Sequence, residues 1–121
     1  MASLFSQIIS RKIPADIIYE DEHCVAFRDI HPVAKIHILI VPRKEIPRLG
    51  EATQADTSLL GHLLLVVNKI ARQLGIFDSG YRIIINNGPD AGESIAHLHL
   101  HLLGGEPLGW GHGGMGDDKI G

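Results

Sequence analysis

One cysteine, Cys24, is all that the chain contains. No internal disulfide can form, and a reducing compartment is the expected setting. Basic residues are not in excess either. The count is 11 Lys and Arg against 14 Asp and Glu, for a formal net charge of −3. Such a balance offers no positive surface for broad nucleic-acid binding, although a short basic patch would still serve one phosphate. No run is long enough to span a bilayer: the most apolar stretch, LLGHLLLVV from Leu59, is broken by His62 and stops far short. The start, MASLFSQIISRKIPADII, interrupts its apolar residues with Ser and Gln and has no basic segment ahead of them. It does not read as a signal peptide. There is no internal repeat and no domain boundary, so the 121 residues are read as one domain, 1–121, with a Gly-rich tail over 104–121. A composition of 45% hydrophobic and 21% charged residues is globular. The expectation is a cytoplasmic protein without a membrane partner.

What is present has a clear order. Leu4, Phe5, Ile8 and Ile9 recur at helical spacing, predicting a short amphipathic helix near Ser3 to Arg11 that Pro14 ends. DIIYE from Asp16 and CVAFRD from Cys24 read as strands around the polar turn Asp21-Glu22-His23, and KIHILIVP is a third strand with His37 inside it. RKEIPRLGEAT is a polar connection. Thr53 and Asp56 resemble a capping box with Asp in the place of the usual Glu or Gln. Behind them Leu59, Leu60, Leu63, Leu64, Val67, Ile70 and Leu74 form the stripe of one long helix, with Gly75 as its stop. YRIIIN is a strand, and the turn-rich NNGPDAGES leads to a last one. Hairpin-length links predict an α+β fold: an antiparallel sheet with helices on one face.

That last strand reads AHLHLHLLGG, with His97, His99 and His101 alternating with Leu98, Leu100 and Leu102. Alternate side chains share a face, so the imidazoles form a row while the leucines point into the core and hold the register. Three chemistries suit such a row. It could be the solvated side of a half-buried strand, although Thr, Lys, Glu or Tyr are the usual residues there. It could hold Zn²⁺ through two histidines and a third ligand such as His37. Against this, ligating histidines usually lean on a carboxylate, and the stretch offers Glu93 and few other acids. Outside the row no Cys or His pair has ligand spacing. Or one imidazole attacks phosphorus while its neighbours orient it and donate to the non-bridging oxygens. The preceding loop, with Asn86, Asn87, Gly88 and Gly92, can turn backbone N–H groups toward an anion. Ser94 could then protonate a leaving group.

HLHLHLL matches the His-x-His-x-His-x-x signature of the histidine triad (HIT) family. With SRKIPADIIYEDEHCVAFRDIHPVAKIHILIVPRKEI and YRIIINNGPDAGES, nearly the whole chain resembles the Hint branch, the purine nucleoside phosphoramidases. The resemblance implies a five-stranded antiparallel sheet with one long and one short helix, pairing with a second copy into a continuous sheet. It implies no metal and no cofactor. His99 would attack the α-phosphorus of a purine nucleotide, a backbone carbonyl near His97 would hold its other nitrogen, and His101 would donate to a phosphate oxygen. His37 would pack beside His97 behind the nucleophile. Asp29 would bind the ribose hydroxyls, and Asn86, Gly92 and Ser94 would contact the phosphate and leaving group. Phe5, Ile8 and Ile18 would line the base pocket, and Trp110 would reach the partner subunit. The implied reaction is cleavage of the P–N bond in AMP- or GMP-amines. The alternatives are a dinucleoside polyphosphate hydrolase, or a nucleotide-binding or scaffold protein with weak activity. His-Leu-His without Pro sets the chain apart from the uridylyltransferase relatives. Arg28 and the tail GWGHGGMGDDKIG depart from the common forms. Glu93 stands where the family commonly has Gln, which adds a negative charge beside the phosphate site.

Overall fold

Residues 3–113 are described by a computed structural model; the end of the tail, 114–121, lies outside them. The elements are α1 (Leu4–Ile9), β1 (Ile17–Glu20), β2 (Cys24–Arg28), β3 (Ile36–Pro42), α2 (Thr57–Gln73), β4 (Tyr81–Ile84) and β5 (Leu100–Gly104). The strands form one antiparallel sheet in the order β1-β2-β3-β5-β4. Tight links join β1 to β2 and β2 to β3, whereas α2 fills the crossover before β4, and β5 inserts between β3 and β4.

Period-two alternation divides the sheet into two buried faces. Cys24, Ala26, Ile38, Ile40, Leu98, Leu100 and Leu102 pack against Leu63, Val66, Val67, Ile70 and Ala71 of α2. Val25, Phe27, Leu39 and Val41 face the other way and pack against Phe5 and Ile8 of α1. Helices therefore cover both faces of the sheet, not one as the strand pattern predicted. The reason lies in β2 and β3, which are apolar at successive positions, so that neither face can be left to water. A six-residue helix is marginal alone. α1 is held by the Ser3 hydroxyl, which accepts the Ser6 N–H, and by the burial of Phe5 and Ile8.

The Thr53/Asp56 capping box forms as expected, on a turn of 3₁₀ helix that runs into α2. Asp56 also takes a hydrogen bond from Lys44 Nζ at 2.6 Å. Gly75 ends the helix with φ of +74°, a conformation that suits glycine. Leu63, Val67 and Ile70 of the predicted stripe are buried, with Val66 and Ala71 beside them, while Leu64 is 47% exposed.

Candidate active site

β5 begins only at Leu100, so His97, Leu98 and His99 lie on irregular backbone that enters the strand. The inside–outside alternation persists through this segment. Its leucines join the α2 core, and the Leu98 N–H donates to the Ile46 carbonyl at 2.7 Å. The row of imidazoles is not a wetted face. His97, His99, His101 and His37 are all at most 4% exposed, because α1 and the segment after it close over that side of the sheet. Buried imidazoles need partners, and the partners found here define the proton positions.

His97 Nε2 donates to the Pro42 carbonyl at 2.8 Å, which makes its Nδ1 an acceptor. The Ser3 hydroxyl donates to that Nδ1 at 2.7 Å, and the Ser6 hydroxyl turns to Glu45. With both nitrogens engaged, His97 presents its backbone to the site. His99 Nδ1 donates to the His97 carbonyl at 2.7 Å. In the neutral ring Nε2 then carries the lone pair.

A second relay runs behind His101. The Val33 N–H donates to His37 Nδ1 at 3.2 Å, so His37 carries its proton on Nε2 and donates to His101 Nδ1 at 3.0 Å. The His101 proton therefore sits on Nε2, a buried atom with no hydrogen-bond partner among the described residues. Burial, reinforced by His99 and His37, pushes the His101 pKa down to about 3, which keeps it a neutral donor. Burial also lowers the His37 pKa, with Asp29 opposing; an Asp29 oxygen lies 3.4 Å from His37 Nε2. His37 thus sits beside His101, not beside His97 as the resemblance implied. The register that pairs His37 with Leu103 and Leu39 with His101 brings it there.

A cavity of about 260 Å³ opens next to His99 and His101, with mostly apolar walls. Phe5, Ile8, Phe27, Leu39 and Ile95 line it, and Asp29 stands on its rim with Ile30 and His31. Phe5 meets the His99 ring edge-on at 4.8 Å between centroids. Of the expected base-pocket residues, Phe5 and Ile8 are there. Ile18 is not: it packs on the α2 side, because strand parity and the irregularity between Ile17 and Tyr19 turn Ile17 toward α1 instead. The sequence pattern did not single out Ile13, Pro14, Ala15, Phe27 or Leu39 as cavity residues, although the same parity carries that signal in β2 and β3.

Asn86 is half-buried two residues past the end of β4, Gly92 takes φ of +81° in the turn before the triad, and Ser94 is exposed. Glu93 does not stand as a bare charge. Arg48 Nε and Nη2 each donate to it at 3.0 Å, the Gly88 N–H donates at 2.9 Å, and its pKa is lowered, first by Arg48. Arg48, 45 residues away in the chain, was invisible as its partner. Trp110 is 80% exposed, with the Arg82 guanidinium 5.8 Å from its ring and donating to the Gly109 carbonyl.

Two groups of side chains among the described residues have metal-ligand types within reach of one another. Asp29, His37 and His101 are joined by the relay just described, so a metal there would have to displace the His37–His101 hydrogen bond. Asp21, Cys24 and His62 meet although their spacing in sequence gave no sign of it. The Asp21 oxygens already accept from Tyr19, His23, Cys24 and His62, and the buried Cys24 thiol is pushed up to about 12.

Residues 10–108 match the HIT domain. Over 107 residues the chain is 47% identical to a purine nucleoside phosphoramidase of Escherichia coli, covering 88% of this chain and 90% of that one. It is 51% identical over 108 residues to a HIT-like protein of Synechocystis, covering 89% and 94%. Among solved structures, a HIT family hydrolase of Legionella pneumophila superposes with a TM-score of 0.88 at 38% identity, covering 90% of this chain and 97% of that one. A histidine triad protein of Clostridium difficile gives 0.85 at 39%, covering 88% and 92%.

Proposed function

The chain belongs to the HIT family, and from that premise we propose that it hydrolyses purine nucleoside 5′-phosphoramidates, releasing a nucleoside monophosphate and an amine. The single observation that carries the mechanism is the His99 Nδ1 bond to the His97 carbonyl, which leaves the Nε2 lone pair as the attacking group. The 47% identity to a purine nucleoside phosphoramidase supports the substrate class.

In the first step His99 Nε2 bonds to the α-phosphorus while the P–N bond to the amine breaks, and the amine takes a proton. Attack leaves positive charge on the His99 ring, which retains its Nδ1 proton. The His97 carbonyl stabilises that charge, as a fixed dipole does in a water-poor site. His101 Nε2 donates to a non-bridging oxygen, supplied with the right tautomer through His37 and Val33. Water then attacks phosphorus and gives up the proton that restores Ser94, the His99–P bond breaks, and His99 regains its lone pair. The purine lies in the cavity against Phe5 and Ile8, and Asp29 on its rim binds the ribose hydroxyls. Asn86 and Gly92 hold the phosphate, and Ser94 protonates the departing amine.

The enzyme works as a homodimer in this reading. β4 is a sheet edge, and the exposed Leu64 lies beside a groove that Ile85, just past β4, also lines. Unpaired edge groups favour pairing across a two-fold axis, and Trp110 then meets the partner subunit. Release of AMP from an adenosine phosphoramidate, compared between the wild type and His99→Ala, tests the activity. The variant should lose at least about 10³-fold in kcat while still binding AMP. Near wild-type turnover by the variant would remove His99 from the mechanism.

A further inference from the structure

The cavity lies on one side of His99, and the chain leaves that side through Ile95 and Ser94 to Glu93. Ile95 lines the cavity; Glu93, Arg48 and Glu51 do not. Yet Glu93 is near enough to His99 for their charges to act on one another. The three residues form one cluster. Arg48 reaches both oxygens of Glu93, with Nε at 3.0 and 3.2 Å, and its Nη1 bonds Glu51. The Asn87 side-chain oxygen accepts the Gly50 N–H at 2.6 Å, and Glu93 accepts the Gly88 N–H at 2.9 Å. These contacts tie the turn at 48–51 to the loop at 87–93, just ahead of the triad.

The formal charge of the cluster is −1: two carboxylates against one guanidinium. Glu93 is 11% exposed at its side chain and Arg48 32%, so water and salt screen the inner pair incompletely. Without Arg48 the cluster would carry −2 and oppose the substrate's own phosphate. With it, one excess negative charge remains outside the cavity walls and next in the chain to Ser94, the residue that the phosphoramidase reading assigns to the departing amine.

We propose that Glu51, Arg48 and Glu93 select the leaving group by charge, favouring amines that carry a further positive charge and disfavouring anionic leaving groups. The inference rests on the phosphoramidase reading above and names the specificity of that site. Arg48 acts as a positioning residue through Glu93, and Glu51 sets the net charge from outside.

The test compares kcat/KM for two adenosine phosphoramidates, one whose amine bears a second ammonium group and one whose amine bears a carboxylate. Glu93→Gln and Glu51→Gln each bring the cluster to neutrality, and both should lower the cationic-to-anionic preference by roughly three- to tenfold. Glu51 is 51% exposed at its side chain, so Glu51→Gln keeps the Arg48–Glu93 pair and isolates charge from packing. Arg48→Gln should raise the preference, and all the differences should shrink at high salt, as a screened charge effect requires. Wild-type turnover with unchanged preferences in both Gln variants would overturn the cluster's role and leave the enzyme reading intact. A wild type inert toward both substrates would overturn the reading itself, and the cluster's role with it.

Discussion

His99 and His101 lie 5.0 Å apart by ring centroids, but their hydrogen bonds assign opposite nitrogens to the proton. His99 is protonated on Nδ1 by its bond to the His97 carbonyl, and His101 on Nε2 by the His37 relay. One residue type thus presents a lone pair at His99 and an N–H at His101, set by their neighbours alone. Because burial lowers the His101 pKa from 6.5 to about 3, the unfolded chain binds a proton there that the folded chain refuses between those values. The stability from neutral His101 is fully present above about 6.5 and is lost as pH falls toward about 3. The wild-type Tm should therefore drop between pH 7 and about pH 4.5, and the drop should be smaller in His101→Gln. Part of it should remain in the variant, since burial shifts His37 in the same direction. Equal drops in both proteins would deny His101 this role. At the residue scale spacing made the row of three imidazoles legible, while its chemistry stayed open among three readings until the family resemblance was added. The sequence could not show that His37 serves His101, because that pairing depends on the β3–β5 register.

Among the elements, β5 serves both faces of the sheet with five residues. Its Leu100 and Leu102 hold the sheet to α2, and the same alternation aims His101 at the other face. Leu102 is fully buried in that core. Leu102→Ala should cost about 2–5 kcal/mol in urea unfolding, as a large-to-small change at a packed site does. A loss below about 1 kcal/mol would mean that the strand is not pinned where the account needs it. The elements themselves were readable from periodicity, caps and turns: α2 with its capping box and Gly75, and the strands within a residue or two. Two features were not. The irregular backbone of His97–His99 keeps strand-like alternation without ladder pairing, so period two alone could not separate it from β5. Ile18, which the resemblance placed in the base pocket, packs on the α2 side, and four residues of β1 carry too few positions to have shown that parity before its partner is known.

For the whole molecule, the sheet has β1 and β4 as its edges, and Leu64 and Leu65 of α2 are exposed. Sedimentation at micromolar concentration should give twice the chain mass, and Leu64→Asp should shift the chain toward monomer. Monomeric wild type would contradict the dimer. None of the described helices is long and apolar enough to cross a membrane. The family was legible from the triad and its flanking segments. The long-range pairs, Arg48 with Glu93 and the Ser3 hydroxyl with His97, depend on how the chain folds back over the triad. In the proposed reaction, buried His99, oriented by the His97 carbonyl, becomes covalently bonded to phosphorus. The direct measurement is intact and peptide mass spectrometry of the enzyme quenched during turnover of an adenosine phosphoramidate. The account predicts a single added adenylyl group on His99 in the wild type and none in His99→Ala. An adduct on another residue, or release of AMP by His99→Ala at the wild-type rate, would contradict it.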